Sequence, residues 1–198
     1  MKKEVTIIDY NAGNLRSIVN MLRFLGVPCV VTSDIDVIKS SKQILFPGQG
    51  HFEQAMLNLN ARGLVQPIKE VIADGVPFLG ICLGLQILFE KSEEAPNTLG
   101  LGILKGDVKK FVTGKVPQIG WNKIQTTGNN SFLTDDFFYF VNSYYVDPTD
   151  KAIISSITNY SIDFCSSIEV ENLCAVQFHP EKSSEAGIEF FRKWLNKT

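Results

Sequence analysis

VPFLGICLGLQ, residues 76–86, is the stretch on which the reading of the whole chain turns. An apolar run from Val76 to Ile81 gives way at Cys82 to a stretch of helical character, and a glycine stands two residues away on either side. Apolar runs of this length, bounded by turn residues, are strands buried on both faces. Gly80-Ile81-Cys82-Leu83-Gly84 then has the strand-turn-helix setting of a nucleophile elbow, where glycines permit the sharp turn that lifts one side chain clear of the sheet. A helix N-terminus favours a thiolate, and the Leu83 N–H is placed to face a developing oxyanion. Against this stands the plain alternative that a lone cysteine after an apolar strand is core, since cysteine is among the most buried residue types. The glycine bracket alone leaves the two evenly matched.

Outward from that stretch the first half alternates. EVTIIDY and VPCVVT are β-branched runs, NLRSIVNMLRFLG carries Leu15, Ile18, Val19, Leu22 and Leu25 at helical spacing, and QILFPG is a third strand closed by Pro47 and Gly48. Helical stretches from Phe52 to Asn58 and from Leu64 to Ala73 lead back to Val76. The pattern predicts an α/β fold: a mostly parallel central sheet flanked by helices, with ligands at the carboxyl ends of its strands. From Leu101 the texture changes to short strand candidates, DVKKFV, DFFYFVNSYYV, AIISSIT, DFCSSIEV and LCAVQF, which predict a β-rich, partly antiparallel C-terminal half. A helix from about Glu185 to Leu195, with Ile188, Phe191 and Trp194 on one face, closes a single domain over residues 1–198.

A nucleophilic cysteine needs a base, and the chain has only two histidines. His179 follows the last strand candidate in VQFHPEKS, with Glu181 two residues on; in an extended segment held by Pro180 the two side chains face the same way, and a carboxylate there orients the imidazole. A solvated His and Glu at a strand end is the bland reading of the same tripeptide. His51 is the competing base. It follows Pro47-Gly48-Gln49-Gly50, a tight turn of the kind that exposes backbone N–H groups as an anion nest, so the turn takes the oxyanion role and His51 a helix-start role. Cys29, Cys165 and Cys174 lie in apolar strands without glycine neighbours and read as core. Asp9, Asn11 and Asn14 end the first strand on the ligand side of such a sheet, where turn and capping duty is an equal alternative.

Composition excludes several classes. A net charge of −2 argues against a general nucleic-acid binder, and no apolar run approaches the ~20 residues of a membrane span. Polar residues interrupt the start where a signal peptide would be apolar, so a cytoplasmic protein is expected. Four cysteines without CxxC spacing predict reduced thiols, and neither a metal nor a cofactor is called for.

Together PGQG, GICLGLQ and QFHPEKS resemble the triad glutamine amidotransferases, and the resemblance implies a class I glutamine amidotransferase-like (flavodoxin-like) fold. Within that superfamily IDYNAGNL, IGWN, FVNSYY and HPEKS look like the glutaminase subunits of imidazole glycerol phosphate synthases, nearly end to end. The resemblance implies that Cys82 attacks the glutamine side-chain amide, His179 carries the proton to the leaving ammonia, and Glu181 orients His179. It places the oxyanion on N–H groups of Leu83 and of the turn at Gln49 and Gly50. Substrate-binding positions carry over to Gly48, Gln86, Glu94, Asn142 and Ser143; for Glu94 a solvated helix end is the alternative. The implied partner is a (β/α)8 barrel cyclase subunit, in a heterodimer that makes imidazole glycerol phosphate for histidine biosynthesis together with aminoimidazole carboxamide ribotide, which feeds purine synthesis. Contact positions for that partner are Asn11, Asn14, Gln118, Trp121 and Asn122. Three positions depart from the family's usual PHMGWN, FVHSYY and PGVG: Gln118 and Asn142 replace histidines, and Gln49 replaces valine. The two lost histidines keep open a related barrel that amidates a sugar in surface-polysaccharide synthesis. A cysteine peptidase on the same elbow, or a non-catalytic module that had lost the triad, fits the residues less well.

Overall fold

In the computed structural model, which describes residues 4–11 and 15–196, the first half alternates strand and helix as its apolar periodicity predicts. The order is β1 (Val5–Ile8), α1 (Leu15–Phe24), β2 (Cys29–Thr32), α2 (Ile35–Lys39), β3 (Ile44–Phe46), α3 (Phe52–Ala61), α4 (Val65–Ala73) and β4 (Phe78–Ile81). The short α2 has no counterpart in the periodicity; it is nucleated by Asp34, whose carboxylate accepts from the N–H groups of Asp36 and Val37. After β4 the chain makes only one helical turn, α5 (Leu83–Gln86), shorter than the apolar run suggests. There follow β5 (Lys91–Ser92), β6 (Gly106–Lys110), β7 (Gln118–Thr126), β8 (Phe137–Asn142), β9 (Tyr144–Pro148), β10 (Ile154–Tyr160), β11 (Ile162–Val170), β12 (Leu173–Val176) and α6 (Ser184–Asn196).

The strands form one branched sheet in the order β2-β1-β3-β4-β12-β11-β10-β7-β8, with β9 joining β11 to β6 and β6 pairing β5. From β2 to β12 the neighbours are parallel; beyond β12 they are antiparallel, apart from the parallel β5–β6 pair at the end of the branch. DFFYFVNSYYV divides at Ser143 into two strands with different partners, β8 beside β7 and β9 beside β6 and β11. β7 is absent from the sequence-based strand candidates, because Gly120 and its mixed polar residues dilute the alternation.

Each parallel strand buries both faces. Ile8, Phe46 and Phe78 pack on the side of α3 and α4, while Ile7, Leu45 and Leu79 pack on the side of α1 and α6. That is why these strands read as unbroken apolar runs. On α6 the buried residues are Gly187, Phe190, Phe191 and Trp194, with Ile188 only at the edge of the stripe. Cys165 and Cys174 are core, as expected, while Cys29 is only half-buried. No helix among the described residues is long and apolar enough to cross a membrane.

Candidate active site

Three parallel strands, β3, β4 and β12, end side by side, and the candidate residues leave from their carboxyl ends. Cys82 follows β4 with φ 55° and ψ −110°, a conformation that costs an L-residue ~1–3 kcal/mol and is kept only where its surroundings impose it. The imposing contacts are visible. The Cys82 N–H donates to the Val176 carbonyl of β12 at 2.7 Å. A side chain on Gly84 would overlap the Phe46 carbonyl, one on Gly48 would overlap the Gly84 nitrogen, and a Cβ on Gly80 would stand 2.9 Å from the Gly84 carbonyl. The glycine bracket is therefore a packing requirement: the turn after β4 is pressed against the end of β3.

His179 leaves β12 three residues after its last pair. Its N–H donates to the Tyr139 carbonyl of β8 at 2.8 Å, and its own carbonyl accepts from the Ser183 hydroxyl at 2.6 Å. Nδ1 of His179 lies 2.9 Å from Oε1 of Glu181, and both side chains are nearly sealed from solvent, at 4% and 2% exposure. The pairing is made, but not by an extended segment. Pro180–Lys182 form a 3-10 turn, closed by Lys182 N–H to the His179 carbonyl at 3.0 Å, that folds Glu181 back beneath the ring.

Burial alone pushes the His179 pKa down, yet the charge of Cys82, a hydrogen bond with its sulphur, and Glu181 outweigh it and hold the value up at about 10. The imidazole is thus an imidazolium at neutral pH, wedged between sulphur and carboxylate. Because the folded value lies above the ordinary 6.5, this proton stabilises the fold fully below pH ~6.5, and the stabilisation is lost as pH rises toward about 10. With only two histidines in the chain, ring C–H resonances check this directly. His179 is expected to titrate far above the ordinary 6.5, and a Cys82→Ala variant to bring its midpoint down; a midpoint unmoved by that change would show that sulphur and ring do not interact. His51 takes the helix-start role: it caps α3, its Nδ1 accepting from the Glu53 N–H at 3.3 Å.

Cys82 and His179 line a cavity of about 400 Å³ together with Gln49, Gly50, Leu83, Gln86, Glu94, Asn142 and Ser143. The Leu83 N–H, at the first position of α5, has no acceptor within its helix. Glu94 does not sit on a helix end; it reaches across to the start of α3, where Oε2 accepts from the Phe52 N–H at 2.8 Å, leaving Oε1 for a ligand. Gln86 spends its Nε2 hydrogens on the Tyr144 carbonyl (3.2 Å) and on Gln177 Oε1 (2.9 Å), so it can offer a ligand only its carbonyl oxygen. Two acceptors, one of them charged, suit an ammonium group. Gly48 is the exception among the expected pocket residues: it packs beneath the elbow and borders a separate small recess with His179 and Glu181.

The expected partner contacts separate into two groups. Trp121 is half-exposed on the outer face of the β7–β8 hairpin and meets the Tyr139 ring at 6.1 Å; Asn11 is exposed at the end of β1, where its Oδ1 accepts from Arg62 at 2.7 Å. Gln118 and Asn122 project from the opposite face of β7, because side chains alternate along a strand. Asn122 donates to the Asn159 carbonyl of β10 at 2.9 Å. Gln118 is 2% exposed and faces Asn142, itself 5% exposed, across the β7–β8 pairing. Gln118 Oε1 and Nε2 and Asn142 Oδ1 make no hydrogen bond among the described residues. The two departures from the family pattern thus face one another inside the molecule. Asn14 lies outside the described residues.

Two residues of the site escaped the sequence reading. Tyr10 is buried against Phe46, and its hydroxyl donates to the Pro47 carbonyl at 2.8 Å, pinning the start of the Pro47–Gly50 turn; burial, then the charge of Cys82, push its pKa up. Gln177 donates from Nε2 to the Cys82 sulphur at 3.6 Å. Tyr10 stood in the quoted DYNAGN and Gln177 beside the histidine, but neither residue type carries chemistry of its own that spacing reveals.

A cysteine elbow, a buried histidine and a carboxylate behind it, at the strand ends of a parallel sheet, form an arrangement suited to nucleophilic catalysis by a thiol. The family profile of class-I glutamine amidotransferases matches residues 6–197. Among solved structures, one described as a glutamine amidotransferase superposes with a TM-score of 0.78 over 96% of both chains at 16% identity, and PurLQS from Thermotoga maritima with 0.77 over 99% of both at 18%. At those identities the likeness concerns the fold. Among curated proteins, imidazole glycerol phosphate synthase subunit HisH of Aquifex aeolicus is 45% identical over 96% of this chain and 95% of its own length. Subunit HisH 1 of Methanococcus maripaludis is 43% identical over 96% and 98%. The chain belongs to the class-I glutamine amidotransferases and, within them, to the HisH family.

Proposed function

We propose that the chain, acting as one amidotransferase domain, is the cytoplasmic glutaminase subunit of an imidazole glycerol phosphate synthase, supplying ammonia to a (β/α)8 barrel cyclase subunit. The observation that carries the reading is His179, held between the Cys82 sulphur and Glu181 on the wall of a cavity whose far side offers acceptors. In the proposed reaction the Cys82 thiolate attacks the glutamine side-chain carbonyl, and Leu83 with the Gln49–Gly50 turn holds the oxyanion. The His179 imidazolium gives its proton to the departing nitrogen, ammonia leaves, and a glutamyl thioester remains. Water then attacks that carbonyl, His179 takes its proton, and the thiolate leaves with release of glutamate. Glu94 Oε1 and Gln86 Oε1 hold the substrate ammonium, with the backbone at Asn142 and Ser143 alongside.

The exposed face of the β7–β8 hairpin supports the partner. Ile119 and Val141 are opposed, as are Trp121 and Tyr139, and Phe137 lies beyond; Ile119, Phe137 and Trp121 are 63%, 52% and 51% exposed. An apolar, aromatic patch of this kind marks a docking surface. Its inner end is the cavity wall, because Val141 lines the cavity and its carbonyl lies 3.9 Å from the Cys82 sulphur. A subunit seated there is in position to receive ammonia. The departures that kept the sugar-amidating alternative open, Gln118 and Asn142, are buried away from this patch, and no observation favours that reading. The test is glutamate release from glutamine with the barrel subunit and its ligand added: a large rise over the lone chain is expected, and the absence of any rise with the histidine-pathway barrel would reject the assignment.

A further inference from the structure

Gln177 is wholly buried, one residue past β12 and two before His179, and its N–H is fixed to the Ser166 carbonyl of β11 at 2.8 Å. Its side chain spans the gap between Gln86 and Cys82. Which end of an amide is nitrogen is assigned from its partners, and here the partners leave one answer. The Tyr144 main-chain carbonyl can only accept, so the Gln86 terminus 3.2 Å from it is Nε2. That same Nε2 stands 2.9 Å from Gln177, whose facing atom must then be an acceptor, Oε1. The other terminus of Gln177, 3.6 Å from the Cys82 sulphur, is therefore the NH2 group, a donor.

We propose that Gln177 is a catalytic residue: its side-chain N–H donates to the Cys82 sulphur and stabilises the thiolate, both when it attacks and when it leaves the thioester. This rests on Cys82 being the nucleophile. A donor to the charged form of a buried group favours that form, and a neutral amide does so without competing with His179 for the proton. Gln177 itself gains and loses nothing in either step. The chain of amides also ties the pocket to the sulphur, since Gln86 orients Gln177 while presenting its own oxygen to the ligand. A purely structural glutamine would affect melting alone; a donor to sulphur affects reactivity as a function of pH.

The experiment is the rate of Cys82 alkylation by iodoacetamide against pH, read by peptide mass spectrometry so that labelling at half-buried Cys29 is kept apart, with kcat and KM measured in the complex with the barrel subunit. In Gln177→Met the midpoint of the profile is expected to move up by about one pH unit, giving ~10-fold slower labelling at pH values below both midpoints. A fall in kcat of similar size, with KM nearly kept, goes with it. Gln177→Glu retains an acceptor for Gln86 while replacing the donor by a carboxylate, so it reads the same direction in a chain whose Gln86 contact survives. Unchanged profiles in both variants, with the parent normally reactive at Cys82, would overturn the role of Gln177. A parent whose Cys82 is no more reactive than an ordinary thiol would overturn the nucleophile reading on which it stands.

Discussion

Cys82→Ser is expected to lower glutamate release by at least ~10³-fold while leaving melting and complex formation with the barrel subunit near the parent values. Serine is nearly isosteric and accepts the same backbone strain at φ 55°, so the elbow is kept. What is lost is ionisation. The hydroxyl does not give its proton to His179, and the imidazole loses the negative charge that is the largest of the influences holding its pKa up at about 10. The residual activity rests on the oxyanion donors and the pocket, which act without the nucleophile. Turnover retained within tenfold would show that some other group attacks glutamine.

The second large effect is expected from Gly187→Ala, where two contributions oppose one another and their sizes decide. In an exposed helix the change would stabilise by about 1 kcal/mol, since alanine is the better helix former. Gly187, however, is the point at which α6 touches the turn after β12: a Cβ there would overlap the Pro180 carbonyl and stand 3.2 Å from the Ser183 Cβ. Overpacking against backbone costs ~1–3 kcal/mol or more, so a net loss of stability is expected. The obstructed atom belongs to the residue between His179 and Glu181. Relief of the clash moves the base relative to the sulphur, and a displacement near 1 Å costs ~10²-fold in rate. A drop in kcat larger than the change in melting predicts is the signature to look for. A variant with both at parent level would mean that α6 shifts freely away from the turn.

Much of this was legible in the chain itself. The parallel half could be read because buried strands must be apolar on both faces, and Cys82 because its flanking glycines answer to a tight turn. Legibility stopped where a residue's surroundings come from distant segments. Gln118 stands in PQIGWN beside Trp121, and only the pleat of β7 sends one inward and the other outward. Glu94 has meaning only once the start of α3 is brought to it. Gln177 is unremarkable as a letter, and becomes a donor to sulphur because β12 pairs with β4. The closeness of His179 and Glu181 was expected for a reason that proved mistaken, since the connecting residues curl into a 3-10 turn.

That β12 lies beside β4 also bears on how the molecule comes into being. Four of the five strands in the parallel block belong to the first half of the chain; the fifth, β12, is the last strand among the described residues and is synthesised after β5 to β11. During synthesis the thiol turn therefore emerges long before the carbonyl of Val176 that holds it, and before the imidazole that makes it reactive. Until residues 173–176 are in place β4 lacks its β12 neighbour, and Cys82 the carbonyl that holds its backbone. Reactivity is thus conferred last, by the closing of a long-range strand pair, so that a nascent or prematurely ended chain carries its cysteine without the means to use it.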